Sequence, residues 1–359
     1  MKNKYIIMIF LILILVGCKE KNSIDKFELK VKKTLDFENI RVKEYLGDNR
    51  FICTDDSNHI FIKNSITNEI EFKNGGKGKG PGNYIRINTL KVIDNLIFIV
   101  DSISKRISIL DKSLKLKYTL LANIPYVSDV VNKGNKVYVF GLMLSQSNEN
   151  KPVAHIYDIM EERVLRNEMK ISIDYKAFPY FKRNGNEMQT SKALIIKDKI
   201  IIVNSMLNKI IEYDMLSKEY TYYPIDFEGF IDPSKLNLKK CLKDETFREL
   251  GFKGVGLELF VYVPRAIWYN PIIENYMVFY FVPYKKQKES NYANQFKLVL
   301  FDESFQCTGY LDTNRNLLDF YQENGRHFFL SENLQYNLLN PDIEYNNNDK
   351  YEILELEKL

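Results

Sequence analysis

The chain has 359 residues, 45% of them hydrophobic and 27% charged, and its 51 lysines and arginines face 47 acidic residues for a formal charge of +4. That balance describes a folded protein with room for a large core, and it excludes a disordered tail, a collagen-like rod and a multi-pass membrane protein. So small a positive excess over this length also argues against nucleic acid as a partner, which needs a concentrated basic patch.

Lys2 and Lys4 precede an apolar run from Tyr5 to Val16. The run is shorter than the roughly 20 residues a helix needs to span a bilayer. It closes on Leu15-Val16-Gly17-Cys18, a small residue directly before a cysteine. This resembles the lipobox of bacterial lipoproteins, with an ordinary secretory signal as the alternative. The resemblance implies a signal peptide over residues 1–17, lipidation of Cys18 and a polar tether over 18–26. The membrane is then a partner through the lipid anchor, since each buried CH₂ contributes about 0.8 kcal/mol and more than one acyl chain holds stably. Lys19 as the second mature residue favours, by analogy with enterobacterial sorting, the outer membrane, with the periplasmic or cell-surface side open. Cys53, Cys241 and Cys307 then remain, which allow at most one disulfide and read best as small buried apolar residues.

From about residue 45 the pattern is short runs rich in Ile, Val, Tyr and Phe, separated by Asn, Asp, Gly and Lys. Such runs predict β-strands. Leu96-Ile97-Phe98-Ile99-Val100-Asp101 followed by Ile107 to Asp111 matches Ile200-Ile201-Ile202-Val203-Asn204 followed by Ile210 to Asp214 in constant register. Weaker copies begin near Arg50, Asn135, Asn275 and Gly325, and two of them close on Tyr157-Asp158 and Phe301-Asp302. Six units share the chain beyond the leader at about 57 residues each, a suitable length for a four-stranded blade. The expected fold is therefore all-β, a six-bladed β-propeller over residues 27–359, because radial closure leaves no long exposed sheet edge. A β-sandwich or two smaller β domains is the alternative. Closure of a propeller draws on both chain ends, and Phe27 to Val31 and Tyr351 to Leu356 are the available strands. Asp232-Pro233-Ser234 starts a helix signal whose apolar residues Leu236, Cys241, Leu242, Phe247 and Leu250 end at Gly251. This predicts a short helical insertion at about 232–250.

Gly75-Gly76-Lys77-Gly78-Lys79-Gly80-Pro81-Gly82-Asn83-Tyr84 precedes the first strong repeat. It resembles the "GKGPGEY" signature of the six-bladed β-propeller lipoproteins of Bacteroidetes, and is similar to NHL repeats. The resemblance implies the propeller fold and an envelope location, without settling an activity. Asn83 stands where that family usually carries Glu, so any role of that carboxylate is absent. The glycines lack the spacing of a dinucleotide fingerprint, and no Ser or Thr follows a Gly-Lys pair. The loop therefore reads as a tight inter-blade connection with positive φ at several positions.

No cofactor or metal motif emerges. His59, His155 and His327 fall at unmatched places in their repeats, and there is neither Gly-x-Ser-x-Gly nor His-Glu-x-x-His. Arginine gives the strongest pattern. Arg86, Arg265 and Arg315 each lie about ten residues before a repeat start, near the beginning of an innermost strand, with Tyr84, Tyr126 and Trp268 close by in the same scheme. Guanidinium groups suit planar anions, and aromatic rings can stack on a sugar. The expected function is a binding or scaffolding module that takes an anionic glycan, peptide or partner protein at the central funnel. The alternative is a metal-dependent lyase or hydrolase in the same channel, or arginines that merely pair with carboxylates and hold blades together.

Overall fold

A computed structural model describes residues 27–35, 37, 40–101, 103–121, 126–142, 152–159, 163–170, 191–205, 207–236, 261–283, 296–332 and 351–358. Cys18, Cys241 and residues 237–260 lie outside them, and so does the larger part of the expected insertion.

Strand β1 (Phe27–Leu35) comes first in the chain but belongs to the last sheet. Blade 1 is β2 (Arg41–Gly47), β3 (Arg50–Thr54), β4 (His59–Asn64) and β5 (Ile70–Gly75). Blade 2 is β6 (Ile87–Ile93), β7 (Leu96–Asp101), β8 (Arg106–Asp111) and β9 (Leu116–Leu121). Blade 3 is β10 (Tyr126–Lys133), β11 (Lys136–Leu142), β12 (Pro152–Asp158) and β13 (Arg163–Lys170). Blade 4 is β14 (Ser191–Ile196), β15 (Lys199–Asn204), β16 (Lys209–Asp214) and β17 (Tyr220–Pro224). Blade 5 is β18 (Val263–Asn270), β19 (Asn275–Phe281), β20 (Phe296–Phe301) and β21 (Cys307–Thr313). Blade 6 is β22 (Asn316–Glu323), β23 (Arg326–Glu332) and β24 (Tyr351–Lys358), completed by β1.

Each sheet is an antiparallel meander, and the first strands neighbour one another around a central channel. The fold is a six-bladed β-propeller. Its ring is closed where β1 runs antiparallel to β24, from Phe27 opposite Lys358 to Leu35 opposite Tyr351. The two chain ends thus supply the two outer strands of one blade, as the sequence predicts.

The repeat has a physical basis. Second strands are covered on both faces by neighbouring blades, so β3, β7, β15 and β19 are buried along nearly their whole length. That two-sided burial requires unbroken apolar runs such as Ile200-Ile201-Ile202-Val203 instead of alternation. Outermost strands such as β5 and β17 are largely exposed and correspondingly polar. The core lies between blades, as where Ile52, Ile60 and Ile62 of blade 1 meet Ile97, Ile99 and Leu110 of blade 2.

The aspartates that close the repeats of blades 2, 4 and 5 are turn formers. Asp111 Oδ1 accepts the N–H groups of Ser113 and Lys115 at 2.9 and 3.0 Å, and Asp214 Oδ1 those of Leu216 and Ser217 at 2.8 and 2.9 Å. Asp302 does the same for Ser304 and Gln306, and Asn64 for Ile66 and Thr67. A short polar side chain that bonds the backbone a few residues on is what fixes these hairpins.

At Asp232-Pro233-Ser234 the chain forms a 3-10 turn over Pro233–Lys235, the one helical element among the described residues, and the remainder of the expected insertion from 237 on lies outside them. Cys53 and Cys307 are both free thiols. Burial pushes the Cys53 thiol up to about 12, which makes it an inert core residue.

Candidate functional site

The glycine-rich loop joins β5 to β6, the outer edge of blade 1 to the channel edge of blade 2. Gly75, Gly76 and Gly82 hold φ of 82°, 151° and 74°, a region that glycine enters without steric cost. The loop folds around one plug. Tyr84 is completely buried; its N–H donates to Gly76 O at 2.8 Å, and its carbonyl accepts from Gly78 N at 3.2 Å. Arg106 sits 5.9 Å from the Tyr84 ring and donates to the carbonyls of Lys79 (3.3 Å), Gly80 (3.1 Å) and Asn83. The loop thus presents its carbonyls to an internal guanidinium, an inter-blade fastening. Tyr84, expected to stack on a ligand, has no surface with which to do so. The residue two before the proposed funnel arginine Arg86 is an anchor of the core.

The three arginines stand at or near the starts of innermost strands, and their surroundings differ. Arg86 is exposed, and its backbone N–H is held by Asp101 Oδ1 at 3.3 Å. Arg265 is also exposed, in a β-bulge of β18 between the pairs Pro264–Tyr280 and Ala266–Phe279, with its guanidinium 5.7 Å from the Phe281 ring. Arg315 is half-buried and places Nη1 3.1 Å from Glu352 Oε2, so its charge serves an ion pair within blade 6. Trp268 is half-buried between blades 5 and 6, 5.5 Å from Phe329 and 6.2 Å from Phe279, which makes it interior packing. Tyr126 opens β10 opposite Leu142; its side chain is outside the described atoms.

The histidines do not meet. His59 lies on the third strand of blade 1 with Nδ1 2.8 Å from Asp55 Oδ2, His155 on the third strand of blade 3, and His327 on the second strand of blade 6. None is on an innermost strand. Among the described residues no group of three or more His, Cys, Asp or Glu side chains is placed to hold a metal.

The charged lining of the channel is what sequence reasoning missed. On each innermost strand one residue pairs with the fifth residue of the second strand: Arg41 with Thr54, Thr89 with Val100, Asp129 with Phe140, Lys192 with Val203, Ala266 with Phe279 and Asp319 with Leu330. Carboxylates at and near this level tie blade to blade. Asp129 Oδ2 accepts Ala193 N–H of blade 4 at 2.8 Å while its Oδ1 accepts Lys91 Nζ of blade 2 at 2.9 Å. Asp319 accepts Tyr45 N–H of blade 1 at 2.9 Å and Phe320 N–H at 2.8 Å. Glu44 accepts Val92 N–H of blade 2.

Burial, and then the charge of Asp319, hold the Glu44 carboxyl well above the usual range, and burial pushes Asp319 up to about 6. The pair straddles the seam between blades 6 and 1. Across the channel, burial lowers the Lys192 ammonium, and the charges of Lys91 and Arg265 lower it further against the pull of Asp129. The only trace of this in the sequence is a charged residue inside an otherwise apolar innermost strand, which no motif distinguishes from an exposed one.

No protein-family model matches the chain, and no curated protein matches it. Crystal structures that share its fold include two from Bacteroides. A member of the DUF4221 family from Bacteroides vulgatus superposes with a TM-score of 0.63 at 11% identity, over 94% of this chain and 100% of that one. A candidate exported protein from Bacteroides fragilis superposes with a TM-score of 0.56 at 12% identity, over 94% and 96% of the two chains. At these identities the likeness carries the architecture alone.

Proposed function

We propose that this chain is a binding or scaffolding module of the cell envelope, an outer-membrane lipoprotein held by a lipid on Cys18. It takes an anionic glycan, peptide or partner protein at the face where its innermost strands begin. The observation that carries the reading is the exposure of Arg86 and Arg265 at that face of a closed propeller, while Glu44, Asp129 and Asp319 are occupied in blade-to-blade hydrogen bonds. Exposed guanidinium groups favour recognition of planar anions. The leader sequence and the exported fold neighbour support the location.

The test uses full-length protein in detergent and polygalacturonate as the anionic polymer. Saturable retention is expected, weakened about tenfold by Arg86→Ala and by Arg265→Ala, each with an unchanged melting temperature. Arg315→Ala is expected to lower stability instead, through its partner Glu352. Retention like that of wild type in both Arg86→Ala and Arg265→Ala would remove the reading.

A further inference from the structure

Two polar side chains with unused atoms meet at the seam between blades 1 and 2. Arg41 pairs with Thr54 and Thr54 with Ile60, so His59, which opens β4, stands on the face where the innermost strands begin. Asp55 Oδ2 lies 2.8 Å from His59 Nδ1, while Asp55 Oδ1 accepts the N–H groups of Ser57 and His59 at 3.0 and 2.9 Å. Burial alone would raise this carboxyl, but the bonds from His59 and Ser57 outweigh it and hold Asp55 below the usual range. An ionised carboxylate only accepts, so Nδ1 carries the proton and Nε2 is the acceptor of the neutral ring.

Asn83 reaches the same place from the glycine-rich loop. A Cβ on buried Gly76 would stand 3.4 Å from His59 Nε2 and 3.6 Å from Asn83 Oδ1, and one on Gly80 3.4 Å from Asn83 Nδ2. The half-buried imidazole and amide thus meet over the loop backbone, and neither His59 Nε2 nor the Asn83 amide has a hydrogen-bond partner among the described residues. Asn58, next to His59, donates from Nδ2 to Tyr84 O at 3.2 Å and Ile85 O at 3.0 Å, which brings Arg86 alongside. Arg86 is exposed, and its guanidinium has no ion pair among the described residues. The neighbouring acids are engaged: Asp56 by Arg41 at 2.9 Å, and buried Asp101 by the N–H groups of Ile85, Arg86, Ile103 and Ser104. Arg106 is engaged by the loop carbonyls, while Lys77, Lys79 and Lys105 are exposed on the loop and the adjoining hairpin.

We propose that His59 Nε2, the Asn83 amide and Arg86 form a subsite for an acidic sugar, with neighbouring hydroxyls on the imidazole and the amide and the carboxylate on the guanidinium. The subsite rests on the binding-module reading and narrows its ligand to a glycan. Two acceptors side by side call for two donors side by side, which hydroxyls on neighbouring carbons of a sugar ring supply. Successive N–H groups of an extended peptide point to opposite edges and do not. The amide NH₂ returns a bond to a hydroxyl oxygen, and a guanidinium matches a planar carboxylate. Asp55 fixes the imidazole in one tautomer and orientation before a ligand arrives, which lowers the cost of binding.

Nuclear magnetic resonance of the full-length protein in detergent at pH 8 tests this with galacturonate, glucuronate, galactose, cyclohexanecarboxylate and acetylglycine. At least one of the two acidic sugars should saturate the protein and move the Nε2 signal of His59, leaving those of His155 and His327 in place. Galactose, without the carboxylate, and cyclohexanecarboxylate, without the hydroxyls, should each bind at least tenfold more weakly. Asparagine places an amide where Nδ1 stands and nothing at Nε2. His59→Asn should therefore keep the Asp55 bond and the melting temperature yet lose at least tenfold in affinity. Asn83→Ala should do the same, while Lys73→Ala on the exposed β5 leaves binding unchanged. Should His59→Asn not fold, the His59 signal of the wild-type protein decides the matter. No saturation with either acidic sugar, equal binding of galactose, cyclohexanecarboxylate or acetylglycine, or an unmoved Nε2 signal would each overturn the subsite. Polygalacturonate retention that depends on Arg86 and Arg265 but survives both His59→Asn and Asn83→Ala would overturn the subsite and leave the binding module. Saturation by an acidic sugar that His59→Asn abolishes, with no retention of polygalacturonate, would support the subsite and remove the wider surface.

Discussion

Replacing Asp319 with asparagine should make the protein's stability less sensitive to pH, by an amount the structure sets. Burial moves this carboxyl from its ordinary 3.8 to about 6. A carboxyl raised on folding contributes stability that is present below its unfolded pKa and lost as pH rises through the folded one. The shift corresponds to about 3 kcal/mol, of which roughly 2 kcal/mol falls between pH 4 and pH 8. Both side chains of the pair keep some surface in the channel, so water makes this an upper figure. Asparagine carries one acceptor where Asp319 serves two donors, Tyr45 N–H and Phe320 N–H. One buried donor then faces an amide NH₂, at a pH-independent cost of about 1–3 kcal/mol. Urea denaturation at pH 4 and pH 8 reads both effects: Asp319→Asn should be the less stable protein at pH 4 and should close most of the gap by pH 8. Glu44 adds to the convergence, because loss of the Asp319 charge lets it ionise more easily. His327, whose imidazole is lowered by burial, acts with the opposite sign on falling pH but cancels between variant and wild type. An equal loss of stability from pH 4 to pH 8 in the two proteins would refute the reasoning.

Arg106→Ala should cost about 2–4 kcal/mol in urea denaturation, because three loop carbonyls lose a charged donor at once, and Arg106→Lys should recover only part of it. In Gly75→Ala the new Cβ would stand 3.0 Å from the Tyr84 ring, 3.1 Å from Gly82 O and 3.2 Å from Asn58 O, at a φ of 82°. Proteolysis within residues 76–83 should therefore accelerate in that variant, and an unchanged cleavage rate would count against the loop as a rigid fastening. Removal of residues 27–35 strips β1 from β24 and opens the ring, so the truncated protein should lose its cooperative melting transition in circular dichroism. Cys18→Ala should abolish metabolic labelling with palmitate and move the protein out of the membrane fraction.

Blade number, blade order and ring closure could be read from the chain because each rests on short-range patterns. Two-sided burial of second strands forces uninterrupted runs like Ile97 to Val100 and Ile200 to Val203, and the turn-forming carboxylates of Asp111, Asp214 and Asp302 punctuate them at constant spacing. The glycine-rich stretch was equally legible as a connection, since positive φ at Gly75, Gly76 and Gly82 is a local demand. The binding face was not. Bulges at Lys43 and Leu46 of β2 and at Asn88, Ser128, Arg265 and Leu318 of four other innermost strands shift their register, while β14 has none. Since a shift of one residue exchanges the two faces of a strand, spacing along the chain could not tell which polar residue meets the channel.

The sequence by itself therefore determined the secondary structure, its sixfold repetition and the pairing of the two termini, all consequences of hydrophobic period and turn chemistry. Only the tertiary structure decided that Tyr84 and Trp268 are interior, that Arg315 belongs to Glu352, and that Glu44, Asp129 and Asp319 fasten one blade to the next. Those outcomes depend on where separate blades place their residues around a closed ring, and electrostatic neighbours drawn from different blades leave no periodic mark on the chain that connects them.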